Sequence, residues 1–228
     1  MKKTTSFILI LSLLMGVMLL SSCDSDRDYS EAEVLAAARI LIQKSELLNE
    51  IYHGKGIEYD LLDSAYSSGS YRKALDSSLD RFGIETVDDL KKMTKEVYTK
   101  GYSNDIFGSK LETIYDSGGE IISLARYVQK YDVMNEPMCI LVNTQNSVLL
   151  LDKVIYHYEN LKVVGVEGER IFVSLSATVM TADEKTQERT LRVVLIEEEK
   201  GWRLDGPTYL SYNENLSKYE ELENKLNK

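Results

Sequence analysis

Apolar and polar positions near the start of the chain alternate with the period of an α-helix. Ser30 and Glu33 have the spacing of a capping box, which predicts that a helix begins directly after Ser30. Gly54 and Gly56 then favour its end, because glycine readily adopts the backbone conformation that follows a helix. We therefore predict a helix of about 22 residues. Its buried face comprises Val34, Ala38, Leu41, Ser45, Leu48 and Tyr52.

The segment after this helix shows helical spacing in shorter stretches. Serines and glycines at 64–70 predict a surface loop, and 71–79 is interpreted as a short helix. Thr86 predicts the start of a second clear helix, which Gly101 is expected to break. The apolar positions of that helix are Val87, Leu90, Met93, Thr94 and Val97. A further short helix is predicted over 103–114.

Beyond Gly119 the period changes to 2, which is the period of a β-strand. The clearest case is 171–180, where apolar residues alternate with mostly polar ones, as expected for a half-buried antiparallel strand. A charged helical tail is predicted over 214–228. The predicted strands are 123–131, 137–142, 148–158, 161–166, 171–180, 189–197 and 202–205.

Helices followed by consecutive strands predict an α+β fold, in which N-terminal helices pack on an antiparallel sheet. We expect one domain over 30–213, with the apolar face of the strands against the first helix. Arg192 and Ser174 should point away from that helix, and Trp202 should be buried as a packing anchor. The residues expected to be buried together are Ile171, Val173, Leu175, Val179, Leu191, Val193 and Leu195, with Leu41 and Leu48 among their neighbours.

The extreme N-terminus carries an apolar run of a different kind. Lys2 and Lys3 precede a predominantly apolar stretch of 14 residues, 7–20. A membrane-spanning helix needs about 20 residues, so this stretch is too short to span a bilayer comfortably. Its length and its basic start are typical of a signal peptide.

Residues Leu20-Ser21-Ser22-Cys23 follow this stretch and resemble the bacterial lipobox, in which small residues precede a cysteine that receives a diacylglyceryl group. The resemblance implies a lipoprotein signal peptide over 1–22 and lipidation of Cys23. A short polar tether, 23–29, would then join the lipid to the domain. The implied location is the extracytoplasmic face of the cell membrane, with membrane lipid as the first partner.

Composition and charge argue against some classes of function. The 228 residues include 27 basic and 37 acidic ones, and this acidic balance argues against nucleic-acid binding. Removal of 1–22 takes away two lysines and leaves 25 basic residues against 37 acidic ones, a net charge of −12. Such a body is repelled by an anionic leaflet, so the lipid must provide the anchor. With Cys23 lipidated, Cys139 has no disulfide partner and is interpreted as a small buried apolar residue.

The sequence contains no recognisable catalytic motif. His53 and His157 are the only histidines and stand alone, and neither a phosphate loop nor a Gly-x-Ser-x-Gly motif occurs. We therefore expect no metal site and no cofactor. The 15 tyrosines, against four phenylalanines and one tryptophan, favour a binding surface for a peptide or a glycan.

Two pairs of residues are candidates for ligand binding. Tyr156 and Tyr158 share one face of a predicted strand and would line a ligand pocket, although ordinary strand packing, for which tyrosine is well suited, is the favoured interpretation. Arg203 and Asp205 share a face of the last strand. They would hold a charged ligand, or else form a solvated pair.

The order of elements and the segment Gly201-Trp202-Arg203-Leu204-Asp205-Gly206-Pro207-Thr208-Tyr209 resemble the NTF2-like, or cystatin-like, α+β family. The resemblance covers 30–213 and implies helices packed on a curved antiparallel sheet. The additional segment 57–86 and the C-terminal helix depart from the compact family members. A second resemblance, of 88–100 and the later Gly-Trp-Arg, is to secreted inhibitors of cell-wall DL-endopeptidases.

These observations favour a non-catalytic, monomeric lipoprotein that binds an envelope protein, a peptide or a glycan. An inhibitor of a cell-wall hydrolase is an alternative, for which the segment 57–70 is the candidate contact. A second alternative is an enzyme whose carboxylates are scattered in sequence, such as Glu58, Asp60 and Asp205.

Overall fold

A computed structural model describes residues 29–63, 69–145, 153–180 and 186–208. The predicted signal peptide, Cys23, most of the tether, the C-terminal helix and most of the loop 64–70 lie outside these ranges. The chain divides into two compact units, Met1–Glu33 and Val34–Lys228. All packing described below lies within the second unit.

The described residues form four helices and nine strands. The helices are α1 Glu31–Tyr52, α2 Asp76–Phe82, α3 Val87–Val97 and α4 Lys100–Lys110. The first five strands are β1 Tyr71–Lys73, β2 Ile114–Tyr115, β3 Ile121–Ser123, β4 Tyr127–Tyr131 and β5 Pro137–Asn143. The remaining strands are β6 Lys153–Glu167, β7 Arg170–Met180, β8 Thr186–Glu198 and β9 Gly201–Leu204.

The described strands form three separate antiparallel sheets. Their orders are β1-β5-β4, β2-β3 and β6-β7-β8-β9, so the last four strands follow one another as hairpins. The predicted α+β class is confirmed. The single sheet of the sequence-based expectation is divided in the structure, since β1, β4 and β5 pair among themselves.

Helix α1 has the start and the buried face that its sequence predicted, and the side chains of Arg126, just before β4, and of Tyr127, its first residue, hold the end of the helix. Arg126 donates from Nη1 to the carbonyl of Tyr52 at 2.8 Å and from Nη2 to that of Gly54 at 2.6 Å. The hydroxyl of Tyr127 donates to the carbonyl of Ile51 at 2.6 Å. These bonds satisfy carbonyls that a helix terminus leaves without an intrahelical partner.

Gly56 is required where the chain leaves α1. Its φ is 74°, which is in the left-handed region that favours glycine. A Cβ at this position would also clash with the hydroxyl of Tyr127 and the guanidinium of Arg126.

The prediction of one short helix over 71–79 is wrong. Residues Tyr71–Lys73 form strand β1, which pairs with β5 between Leu141 and Asn143, and helix α2 begins only at Asp76. Pairing with a distant strand overrides local helical spacing here, because period alone does not identify so short a segment. Gly83, with φ 67°, ends α2 as a left-handed cap.

The helix predicted to run from Thr86 to Gly101 ends earlier. Thr86 is its cap, as predicted, but α3 ends at Val97, and Gly101 lies in the first turn of α4. The break is caused by β9, since Tyr98 forms a bridge with Leu204 and the Thr99 amide donates to the Leu204 carbonyl at 2.9 Å. The predicted helix over 103–114 is accordingly displaced to Lys100–Lys110.

The strands differ from prediction in two places. The predicted strand 123–131 is divided into β3 and β4. The described part of the predicted strand 148–158, residues 153–158, and the predicted strand 161–166 belong to one continuous strand, β6. The irregularity between those last two predicted strands is a large β-bulge. Pairing with β7 passes from His157↔Ser176 to Lys162↔Ser174, so that four β6 residues lie opposite Leu175 alone.

The predicted apolar face of β7 and β8 is confirmed. Cross-strand pairs place its residues together, and each of the seven is at most 3% exposed. Ser174 pairs with Arg192 on the opposite face, as predicted, yet Ser174 is itself only 3% exposed. Leu41 and Leu48 of α1 are buried as well, while their contact with these strands stays a prediction.

Trp202 is half-buried, so the prediction of a buried anchor is wrong in degree. It pairs with Glu197 beside the β8–β9 turn, whereas Leu204 pairs with Leu195 further from the turn and is fully buried. Leu204 therefore fills the position in the core that the sequence had suggested for the larger side chain.

Candidate functional site

The junction between α3 and α4 is held against the end of β9. Thr99 caps α4, since its side chain accepts a hydrogen bond from the Tyr102 amide at 3.3 Å. The same hydroxyl donates to Asp205 Oδ1 at 2.8 Å. Asp205 also lies 3.3 Å from the guanidinium of Arg170. These bonds hold the junction between α3 and α4 against the last hairpin.

Between this junction and the β8–β9 turn lies a groove with a volume of about 600 Å³, which we name the Arg203 groove. Its charged lining residues are Lys95, Lys100, Lys200, Arg203, Glu198 and Glu199. Four cations thus face two carboxylates, on a chain whose net charge is −10. The groove is locally basic on an acidic molecule.

Arg203 is the most rigid of the four cations. Its Nε donates to the carbonyl of Lys95 at 2.9 Å and its Nη1 to that of Trp202 at 2.7 Å. The first bond satisfies a carbonyl in the last turn of α3, where a cation also complements the helix dipole. Within the described ranges its second terminal nitrogen, Nη2, makes no hydrogen bond, so it remains available to a ligand.

The three lysines differ from Arg203 because their ammonium groups are exposed. Across the part of the chain that the structure describes, none of them forms a salt bridge. Lys95 lies over the ring of Phe107, with 5.7 Å between Nζ and the ring centroid. Glu198 is already engaged, because its Oε1 accepts the Lys100 amide at 2.9 Å at the start of α4.

This arrangement suits electrostatic binding of an anion. Ammonium and guanidinium groups attract carboxylates or phosphates, and a guanidinium held in a fixed plane adds directional hydrogen bonds.

Tyr156 and Tyr158 lie together, with their ring centroids 6.0 Å apart, but outside the groove. Tyr156 donates to the carbonyl of Thr208 at 3.1 Å, and Tyr158 donates to Glu46 of α1 at 3.1 Å. Burial raises the pKa of both hydroxyls. These contacts join β6 to α1 and to the chain beyond β9, so a ligand-binding role for the pair stays a prediction.

The Tyr158 contact also affects the carboxyl of Glu46. Burial raises the pKa of Glu46, and the hydrogen bond from Tyr158 partly offsets that increase. The guanidinium of Arg39 lies 5.3 Å from the centroid of the Tyr158 ring. The tyrosine is therefore enclosed by two charged residues of the same helix.

Arg203 and Asp205, which the sequence suggested as a pair, have separate roles. Arg203 lines the groove, while Asp205 holds the helix junction through Thr99. Of the scattered carboxylates, Asp60 accepts the Leu62 amide at 2.8 Å, and its own amide bonds to Lys73 of the three-stranded sheet. Asp60 and its neighbour Glu58 thus lie beside a different sheet from Asp205.

No pattern in the sequence indicated Lys95, Lys100 and Lys200 as site residues. Lys95 and Lys100 flank the helix break, and Lys200 lies in the turn before β9. No local pattern connects these positions, because they meet only when the helix junction bonds to the last strand. Arg203 was the one groove residue with a sequence signal, through the Gly-Trp-Arg segment.

In the described ranges no three His, Cys, Asp or Glu side chains are placed to hold a metal ion. None of the described helices has both the length and the apolar character needed to cross a membrane. In comparisons with known proteins, no family model, curated protein or solved structure matches the chain.

Proposed function

We propose that the protein is a bacterial lipoprotein, anchored through Cys23 to the extracytoplasmic face of the membrane, whose NTF2-like body binds an acidic segment of another envelope protein. Binding occurs in the Arg203 groove and involves no catalysis. The observation that carries this proposal is the convergence of three lysines on Arg203, whose guanidinium is held by two carbonyls.

The fold supports the NTF2-like part of the proposal. A 22-residue helix precedes a four-stranded antiparallel sheet of consecutive hairpins, and bulges in β6 provide positions at which such a sheet bends. The last strand carries the Gly-Trp-Arg-Leu segment and pairs with β8, as the resemblance implies.

The anchor is tested by membrane fractionation of a Cys23→Ala variant. A lipoprotein precursor that lacks its acceptor cysteine is neither lipidated nor cleaved at this site. We expect the variant to be released into the soluble fraction or to remain as an uncleaved precursor. Normal processing and normal membrane association of Cys23→Ala would contradict the anchor.

The groove is tested by titration with poly-L-glutamate, with neutral dextran as the comparison polymer. The double variant Lys100→Gln/Arg203→Met should lose most of the affinity, and added salt should weaken wild-type binding. The matched control is Lys44→Gln, which changes an exposed lysine of α1. Equal affinity of the wild type and the double variant would exclude the groove as the binding site.

A second function, inhibition of a cell-wall hydrolase, is favoured by one observation. Leu61 and Leu62, in the segment that the sequence nominated for this role, are 74% and 92% exposed. Exposed leucines suit insertion into an enzyme cleft. The test is peptidoglycan digestion by a DL-endopeptidase with wild type and with Leu61→Ser/Leu62→Ser, where only the wild type should slow digestion.

A further inference from the structure

A second cavity, also of about 600 Å³, lies against the face of the four-stranded sheet opposite its apolar core. We name it the Ser174 cavity. The β6 bulge forms one wall, because the four residues opposite Leu175 turn away from regular pairing. Asn160 in this bulge donates from Nδ2 to Ser176 Oγ of β7 at 2.8 Å, which fixes the wall over the sheet.

The cavity has a buried polar floor. Ser174 is only 3% exposed and lines the cavity, and no hydrogen bond of its hydroxyl is present among the described residues. The hydroxyl is not one of the fully enclosed polar atoms that lack a partner, so it is open to the cavity and can donate and accept hydrogen bonds there. A ligand hydroxyl in the cavity would supply that partner.

The remaining lining combines neutral hydrogen-bonding groups with charged ones. Asn160, Ser176 and Thr190 add an amide and two hydroxyls, while Lys162 and Arg192 supply two cations. The one carboxylate, Glu159, lies 3.5 Å from Nδ1 of His157 and is thus partly engaged. Leu161 and Val164 provide a small apolar surface.

We propose that the Ser174 cavity binds a hexose-sized polyhydroxylated monoanion, namely a uronic acid or a uronic acid unit of a glycan. The carboxylate of the ligand contacts Lys162 and Arg192, and its hydroxyls bond to Ser174, Ser176, Thr190 and Asn160. The volume is within the range of small-molecule sites. A free amino acid fits less well, because it would leave most of the neutral groups without partners.

The experiment is a calorimetric titration of the full-length chain in detergent with glucuronate and galacturonate, and with glucose, acetate and alanine as comparisons. We expect at least one uronate to bind about tenfold or more tightly than every comparison compound, since only it satisfies both the charged and the neutral groups. Absence of saturable uronate binding, or equal binding of acetate or alanine, would overturn the proposal.

Two variants locate the binding. Lys162→Met should weaken uronate binding about tenfold without changing glucose binding, because it removes one charge-assisted contact. Lys153→Met, on the same strand but outside the cavity, should leave uronate binding unchanged. Unchanged uronate affinity in Lys162→Met would overturn the assignment, whatever the Arg203 groove binds.

Discussion

Arg126 is a buried guanidinium that bonds to backbone carbonyls. It is 6% exposed, and its two terminal nitrogens donate to the carbonyls of Tyr52 and Gly54. A cation at the C-terminus of a helix is favoured by the helix dipole. Removing this side chain would leave two buried carbonyls without donors, and charge-assisted hydrogen bonds contribute more than neutral ones.

We expect Arg126→Met to lower the free energy of unfolding by about 3 kcal/mol or more, since two charge-assisted bonds are lost together. The measurement is chemical denaturation at neutral pH. Arg81→Met is the matched control, because Arg81 is exposed and its contact with Glu50 is 4.0 Å long. That control should cost less than about 1 kcal/mol. Similar small losses in both variants would show that Arg126 does not hold the helix end.

His53 links stability to pH. Burial, together with the nearby charges of Lys110 and Arg126, lowers the pKa of His53 to about 3. The pKa of histidine in an unfolded chain is ~6.5. Below that pH the unfolded state therefore binds a proton that the folded state does not bind. Stability is therefore fully present above pH ~6.5 and declines as the pH falls towards 3.

Between pH 7 and about pH 4.5, the free energy of unfolding should fall less for His53→Gln than for wild type. We expect the two decreases to differ by more than about 1 kcal/mol. Comparing His53→Gln with wild type separates the effect of His53 from that of the titrating carboxylates. NMR of the His53 ring should show no protonation over the same range, and a midpoint near 6 would contradict the burial argument.

At the scale of elements, α3 begins with a complete capping box. The Thr86 side chain accepts the Asp89 amide at 3.2 Å, and Asp89 accepts the Thr86 amide at 2.8 Å. Hydrogen bonds from the Thr86 side chain and from the backbone amides of Glu85 and Thr86 lower the pKa of Asp89. This box fixes the first turn of the helix whose last turn meets Arg203.

Thr86→Ala should cost about 1 kcal/mol, the usual contribution of an N-cap. It should also raise the pKa of Asp89, because the largest cause of the lowered value is removed. Ser77→Ala, at an exposed position in α2, is the control and should cost little. Thermal unfolding compares the two variants, and an unchanged Tm for Thr86→Ala would exclude a stabilising box.

The elements that sequence predicted well are those with long periodic patterns. Helix α1 and strands β7 and β8 repeat their apolar positions often enough that packing and local preference agree. The segment 71–79 and the helix break near Gly101 were misjudged because β5 and β9, which are distant in sequence, decide them. The same reason explains why Arg203 was identified and the groove lysines were not.

At the scale of the whole molecule, net charge bears on the proposed lipid anchor. Without residues 1–22, the proposed signal peptide, the chain has 25 basic and 37 acidic residues and a net charge of −12. A protein of this charge is repelled by an anionic bilayer, although one groove on it is basic. We therefore expect membrane attachment to depend on the proposed lipidation of Cys23, with the Arg203 groove left to the proposed acidic segment.

We expect a mature form with Cys23→Ser to remain in the supernatant when vesicles containing anionic phospholipid are sedimented. Charge repulsion acts on the whole body, and salt should not promote binding through the groove. The lipidated protein in the same assay should sediment with the vesicles. Sedimentation of the Cys23→Ser form would show that the body has its own membrane affinity.

Trp202 is the only tryptophan of the chain, and it is half-buried next to the groove. Its backbone carbonyl accepts a hydrogen bond from the guanidinium of Arg203, so a ligand that moves Arg203 also acts on the strand segment that carries the indole. The molecule consequently contains an intrinsic fluorophore that is bonded through its backbone to the Arg203 groove. A change in its emission during titration would report a ligand at Arg203, whereas a ligand over Ser174 would leave the emission nearly constant.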